Sequence, residues 1–456
     1  MNKIVASVGM VALGASGIQT ASAQQSMDIS RPAKPWSVSA TLRGFYDDNS
    51  ATLPDNAPLA TGQHRSSFGF EVSPSAALNW AVDTTTFNLG ILYSMRYYEN
   101  KPPTSTDHID QDFTFNLSLT HAFSERYQGS VSDSFVIGQE PDTLRAGNTF
   151  ATFQRISGDN IRNYGALSFD AQLTPRFGAS LGYDNAYYDY AATGASPGGA
   201  PDPQNPLSIG SVIASPSGVL DRIENGVHVE GLWAVQPQTK ALVGYRFRDV
   251  DYTGNEIIGG DIIPGPILVN PVFSKNRDFR EQYLYVGGMH NFRPDLNGSL
   301  RLGASYTDYY NDSNASASYT PFVEASLRWT YATDSYVEGG FNYDRSATDQ
   351  VGLLATGGVA NFTLDQEAAT IFATVNHRIT PKVFASLTGQ FQNSLYNGGA
   401  ANNQSEQYYL MGLNLEYRFT PNFAADVGYN YDKLDSSILN RSFDRNRIYI
   451  GLTASY

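Results

Sequence analysis

Alternation with a period of two runs to the last residue of this chain. From Asn446 to Tyr456, Ile448, Ile450, Leu452, Ala454 and Tyr456 fall on one face of an extended strand. Arg447, Tyr449, Gly451, Thr453 and Ser455 fall on the other. Side chains of a strand point to opposite sides in turn, so this pattern demands one apolar and one polar surface. The same pattern recurs from Trp36 onward: Trp36, Val38, Ala40, Leu42; Phe87, Leu89, Ile91, Tyr93, Met95; Tyr409, Met411, Leu413, Leu415, Tyr417. No long stretch prefers the 3.6-residue period of an amphipathic helix.

Composition narrows the solvent. Hydrophobic residues make up 41% of the chain, and no run approaches the roughly 18 apolar residues of a spanning helix. A helical membrane bundle is excluded; a barrel is not, because only alternate residues of its strands face lipid. The 29 Tyr and 25 Phe suit interfacial girdles, and the 41 Gly suit tight turns. The net charge of −14 argues against nucleic acid and against a polybasic membrane patch. There is no cysteine, hence no lipid anchor on a thiol, no disulfide scaffold and no thiolate metal site.

Two kinds of connection alternate. The short kind often carries Pro, as in Gln236-Pro237-Gln238, Arg293-Pro294-Asp295, Thr380-Pro381-Lys382 and Thr420-Pro421-Asn422. Pro presets φ for a turn and cannot donate to a ladder. Thr174-Pro175-Arg176 belongs to the same kind, and Val82-Asp83-Thr84, Ser124-Glu125-Arg126 and Ala332-Thr333-Asp334 are Pro-free versions. The long kind is rich in Gly, Pro, Asn and Asp, as in Ser50–Arg65, Ala191–Leu220 and Tyr252–Arg277. Short turns at one end and long loops at the other are the asymmetry of bacterial outer-membrane barrels. About eight turns and nine loops predict an all-β, transmembrane, up-and-down antiparallel β-barrel of about 18 strands over residues 36–456. Sixteen is the alternative, because Val136–Asn163 is poorly patterned and could hide a hairpin or fold inward. Strands rising from the short turns often end in an aromatic and an acid, as in Tyr46-Asp47, Tyr183-Asp184, Tyr343-Asp344 and Tyr431-Asp432. The aromatic reads as girdle, with the acid beyond it in water.

Parity assigns the other strand face to a lumen. Its candidate pore-lining residues are Arg43, Glu71, Arg96, Glu224, Arg246, Arg248, Arg301, Glu324, Arg328, Glu338, Glu416, Arg418, Arg445 and Arg447. These cannot face hydrocarbon, where Arg or Lys costs about 2–4 kcal/mol at the midplane. Two readings stay open: cross-paired charges that brace a wide barrel, or unpaired rings that set the field of an aqueous pore. Arg246 and Arg248 share a face, as do Arg445 and Arg447, and need acidic partners. The six His residues are dispersed, and no nucleophile elbow, phosphate loop or metal-ligand spacing is present. No enzyme, cofactor or metal centre is therefore expected. The acidic pieces Asp249-Val250-Asp251 and Glu256–Asp261 lack calcium-loop spacing and read as solvated acids.

Lys3, the apolar stretch Ile4–Leu13 and the small residues Ala21-Ser22-Ala23 read as a cleavable signal peptide over residues 1–23. Residues 24–35 then form a short periplasmic segment, and the barrel is exported to the outer membrane of a Gram-negative bacterium. The final strand resembles the closing strand of such barrels, whose terminal aromatic is read by the barrel-assembly machinery. Ile448, Ile450, Leu452, Ala454 and Tyr456 would be that insertion signal. Ser37–Asn49, ending in Tyr46-Asp47-Asp48-Asn49, resembles the opening of a group of bacterial barrels named putative β-barrel porin type 2. The resemblance implies an outer-membrane barrel and, for some members, a link to exopolysaccharide export proteins. The expected partners are outer-membrane lipid and lipopolysaccharide, with no nucleic acid. The expected function is porin-like passage of small polar or saccharide-like solutes; the alternatives are an exopolysaccharide-export component and a closed structural or adhesive barrel.

Overall fold

The computed structural model describes residues 34–57, 59, 64–100, 108–139, 158–197, 207, 209–312, 315–350, 354–356, 359–439 and 441–456. The expected signal peptide, and all of the segment after it except Lys34 and Pro35, lie outside these residues.

Eighteen strands form one antiparallel sheet. In chain order they are β1 (Trp36–Asp47), β2 (Ser67–Val82), β3 (Thr85–Tyr98), β4 (Ile109–Ala122), β5 (Tyr127–Gly138), β6 (Asn160–Gln172), β7 (Phe177–Tyr190), β8 (Arg222–Gln236) and β9 (Thr239–Tyr252). They continue as β10 (Phe279–Arg293), β11 (Leu296–Asp308), β12 (Ser318–Ala332), β13 (Ser335–Ser346), β14 (Thr363–Thr380), β15 (Val383–Gly398), β16 (Ser405–Thr420), β17 (Phe423–Ser436) and β18 (Phe443–Ser455). Each pairs with the next, and β18 returns to β1 with Leu452 opposite Leu42. Closure removes the sheet edges, which hydrocarbon could not satisfy. The alternative of sixteen strands fails because β5 and β6, on either side of the poorly patterned stretch, are both full strands. A hairpin or inward fold within that stretch would fall on residues 140–157, outside those described.

The turns sit where Pro and Asp punctuate the chain. Pro237, Pro294, Pro381 and Pro421 each open a two-residue link between strands. Asp83 and Asp334 take left-handed φ values of 45° and 56° in the corresponding Pro-free links. Asp tolerates that conformation better than most residues, because its short side chain bonds locally. At the other end, residues of the long loops form a small sheet of Ser196–Pro197, Gly210–Ile213, Ile257–Ile263 and Ile267–Phe273, beside the helix Pro216–Leu220.

Two aromatic belts ring the outside. Near the short turns, Phe177 stacks on Trp233 at 6.4 Å and Trp36 meets Tyr456 at 5.8 Å. Near the long loops, Tyr46 meets Phe68 at 4.9 Å, Phe70 stacks on Tyr97 at 5.2 Å, and Tyr306 meets Tyr319 at 5.1 Å. Between the belts the outward residues are exposed and mostly apolar, as at Leu42, Ile91, Val243, Leu302, Leu413 and Ile450. Hydrocarbon between two interfacial girdles is the environment that such a surface fits.

Candidate functional site in the barrel interior

The inward face is where the chain concentrates its charge, and each predicted lumen residue stands in an ion pair there. Arg43 reaches Asp426 at 2.9 Å and Glu71 at 3.7 Å. Arg96 pairs with Asp112 on the neighbouring strand. Arg222 takes Glu224 at 2.8 Å, Arg246 takes Asp184 at 3.3 Å, and Arg248 takes Glu281 at 2.8 Å. Arg301 bridges Glu230 at 2.9 Å and Glu324 at 3.3 Å. Nearer the short turns, Arg328 holds Glu338 at 2.9 Å and Arg418 holds Glu416 at 2.5 Å. On the last strand Arg445 meets Asp432 at 3.1 Å and Arg447 meets Asp47 at 3.0 Å.

Several of those acids belong to the aromatic–acid strand ends, and here the structure corrects the sequence reading. Asp47, Asp344 and Asp432 do not lie in water; they are buried inside the barrel. Neighbouring residues of a strand face opposite ways, so an outward Tyr46 forces Asp47 inward. The repeated dipeptide therefore supplies both a girdle ring and an acidic partner for a lumen arginine. Of the acidic pieces, Asp249 and Asp251 lie at the partly exposed end of β9 and Glu256 and Asp261 in the loop after it, and each has a local environment of its own. Asp249 pairs with Arg280, Asp251 accepts the Tyr310 hydroxyl, Glu256 accepts the Ser217 hydroxyl, and Asp261 is fully buried.

The interior is not uniform around its circumference. From β8 to β13 it is filled. Leu232, Leu242, Tyr283, Tyr285 and Phe322 pack into one inward cluster. Around them the Tyr283 hydroxyl donates to Glu281 at 2.8 Å and Asp344 at 3.1 Å, and the Tyr285 hydroxyl donates to Glu230 at 3.0 Å. Glu281 and Tyr283 are 0% exposed. Glycines make room for these rings: a Cβ on Gly244 would sit 2.3 Å from the Tyr285 ring, and one on Gly303 would sit 2.7 Å from its Cβ.

From β4 to β7 the inward side chains are small and mostly uncharged. Asn116 faces Ser134, Ser118 faces Ser132, and Ser168 faces Gly182 across the ladder. Ser130 bonds Ser168 at 2.6 Å, and on the adjoining strand Asn88 donates to Ser118 at 3.0 Å. Asn116, Ser118, Ser132, Ser134 and Ser168 are half-exposed to the interior. No sequence motif marks them, because isolated Ser and Asn on a polar strand face carry none. The usable signal is their run on consecutive strands, next to the aromatic and arginine-rich ones.

The long-loop end is partly bridged. Arg277, fully buried, donates to the Val219 carbonyl at 3.0 Å and to the Thr348 carbonyl at 2.5 Å, tying three loops together. Arg441 holds Asp349 at 3.2 Å from another side and also pairs with Glu406. Val219, Leu220, Ile258, Val272 and Phe362 pack with Tyr188 and Tyr190 beneath. In these loops Asp221 accepts the Tyr190 backbone N–H at 2.7 Å. Burial, with Asp189 and Glu256 nearby, pushes its carboxyl up to about 7, against that hydrogen bond and the Arg222 charge. Asp278 accepts the Tyr252 backbone N–H at 2.7 Å, and burial raises it to about 6.

Along β18, from the long-loop belt down to the opposite end, Ile448, Ile450, Leu452 and Tyr456 project outward and are exposed, with Ala454 between them. Tyr456 exchanges backbone hydrogen bonds with Val38 at 2.9 and 3.1 Å, and Lys34 lies 3.6 Å from its ring centre.

Residues 270–456 match the family described as Putative beta-barrel porin 2. No curated protein matches the chain. Solved structures that overlay on it include OccAB2 from Acinetobacter baumannii, at 13% identity over 92% of this chain and 98% of that one, TM-score 0.39. The outer membrane protein opdK from Pseudomonas aeruginosa overlays at 12% identity over 92% and 99%, TM-score 0.41. A BenF-like porin from Pseudomonas fluorescens Pf-5 overlays at 10% identity over 93% and 99%, TM-score 0.41. Lipid-facing belts, a charged interior and the family match over the last nine strands lead to one statement: the chain is an 18-stranded outer-membrane β-barrel that resembles the family Putative beta-barrel porin 2.

Proposed function

We propose that the barrel is a porin-like channel for small polar, saccharide-like solutes, with its water path along the β4–β7 arc. The observation that carries this reading is the asymmetry of the interior. Large side chains pack on the β8–β13 arc, where their charges neutralise one another. Small Ser, Thr and Asn side chains on the β4–β7 arc stay half-exposed. An 18-strand cylinder is wide enough for an aqueous lumen. A wall mostly of hydroxyls and amides, with Asp112 and Asp184 held by Arg96 and Arg246, offers donors and acceptors that suit neutral polyhydroxylated solutes over small ions. Arg43, Arg246 and Arg301, each held by carboxylates, would brace the wall rather than attract anions.

Planar-bilayer recording tests this directly. Folded protein should give stepwise conductance with weak ion selectivity, and vesicles carrying it should swell in an isotonic disaccharide. A well-folded barrel that gives neither current nor swelling overturns the reading.

A second reading is a closed structural barrel. The pairing of every predicted lumen charge and the loops tied by Arg277 and Arg441 favour it. The same recording separates the two, since a closed barrel conducts nothing.

The strand Phe443–Ser455 with Tyr456 would serve as the insertion signal. Its exposed apolar face and its pairing with β1 support that role.

A further inference from the structure

Where the filled arc meets the open one, two neighbouring strands lay side chains across each other's glycines. On β8, His228 points inward between the exposed Val227 and Val229. On β7, Asp184 shares its parity with the buried Tyr188 and Tyr190 and also points inward. The ladder sets His228 opposite Gly182 and Asp184 opposite Gly226. A Cβ on Gly182 would sit 2.1 Å from the His228 ring, and one on Gly226 would sit 2.3 Å from the Asp184 carboxylate. Only a residue without a side chain permits such an approach at either position. The exchange brings His228 Nδ1 to 3.8 Å from Asp184 Oδ1, with 29% and 32% of the two side chains exposed.

The imidazole thus reaches from β8 over β7, toward Ser168, which opposes Gly182 on the open side. Other histidines on the described strands, His121, His290 and His377, share the parity of outward residues. The charges that face His228 are mostly paired among themselves. On β7, Asp184 is its nearest acid, and the neighbouring inward residues there, Ser180 and Gly182, are neutral. On β9, Arg246 stands directly opposite and takes Asp184 at 3.3 Å, while Arg248 takes Glu281. On β8 itself, Glu224 is held by Arg222 and Glu230 by Arg301. Further across, Glu324 of β12 is held by the same Arg301, and the Tyr283 and Tyr285 hydroxyls of β10 donate to Glu281, Asp344 and Glu230.

We infer that His228 is a specificity-determining residue of the lumen, one whose protonation moves the ion preference from cations toward anions. The inference rests on the channel reading above and adds a residue and a control to it. A histidine changes its charge between about pH 5 and pH 8, a range in which arginines keep theirs. Protonated, His228 would share the single carboxylate of Asp184 with Arg246, so one acid would serve two cations. The surplus positive charge would stand at the edge of the β4–β7 path, and charged side chains that line a pore set which ions it favours. The two glycines give this arrangement its geometry: they hold the imidazole against the wall, beside the path rather than across it.

Planar-bilayer recording in a potassium chloride gradient tests this. As pH falls from about 8 to about 5, the wild-type reversal potential should move toward the chloride equilibrium potential. His228→Gln, which stays neutral, should lose most of that movement. His228→Lys, which stays charged, should show at the higher pH the reversal potential that wild type reaches at the lower one. The heat-modifiable band shift checks that each variant is a folded barrel. Movement shared by wild type and His228→Gln belongs to other groups, the loop acids Asp221 and Asp278 among them. A conducting barrel in which His228→Gln moves as far as wild type overturns this inference alone. A folded barrel that conducts at no pH overturns the channel reading and this inference with it.

Discussion

The β8–β13 arc and the β4–β7 arc are built to the same backbone rule and filled by opposite chemistry. Both alternate an apolar outer residue with a polar inner one. On the first arc the inner residues are Arg, Glu, Tyr and Phe, locked to one another with Glu281 and Tyr283 fully buried. On the second they are mainly Ser, Thr and Asn, half-exposed and joined by short neutral hydrogen bonds such as Ser130–Ser168, with Asp112 and Asp184 tied to arginines of other strands. A wide barrel has no central core, so its interior groups must either find partners across strands or stay wet. One arc takes the first course and the other takes the second. The difference teaches that bracing and passage need not share residues.

The largest expected effect lies on the braced arc. Glu281→Ala leaves Arg248 buried without its carboxylate, which costs about 3–5 kcal/mol. Chemical unfolding in detergent should show that loss, while Ser132→Ala on the open arc should stay within about 0.5 kcal/mol. Comparable losses at both positions would erase the distinction between the arcs. Next comes passage. Ser132→Trp should lower single-channel conductance severalfold, because the ring enters the proposed path. Tyr285→Phe, on the filled arc, should leave conductance close to wild type.

A smaller effect is set by pH. The folded-state pKa of Asp221 is raised to about 7 from an ordinary 3.8. Its contribution to loop stability is then fully present below the ordinary value and is lost as pH rises through about 7. Asp278 adds the same sign, its contribution lost as pH rises through about 6. Amide exchange, corrected for intrinsic rates, should show the loop residues 209–221 better protected at pH 5 than at pH 8. Asp221→Asn should flatten that dependence for those residues. The β4–β7 wall should show no matching change. Ser130→Ala, which removes one neutral hydroxyl pair, should cost about 0.5–1.5 kcal/mol in the same unfolding measurement.

Much of the barrel was legible before any coordinates. Period-two alternation, Pro237-type turns and the short-turn, long-loop rhythm carry the cylinder and its eighteen strands, because each is a local property of the backbone. Parity alone placed Arg43, Arg246 and Arg447 inside. Their partners were harder. Arg43 meets Asp426 from 383 positions away, and Arg447 meets Asp47 from 400 positions away. Such pairs depend on closure and stagger, which local pattern does not encode. The buried state of Asp47 was missed because a charged residue at a strand end was assigned to water rather than to a face.

The sequence by itself determined which residues meet lipid and which do not, since a strand has only two sides and hydrocarbon tolerates one kind. Tertiary structure alone decided how the inner side is used. It joined β18 to β1, drew Arg277 and Arg441 across the mouth, and divided the interior into a filled arc and an open one. Those outcomes follow from the register of strands far apart in the chain, a three-dimensional sum that no short stretch of residues contains.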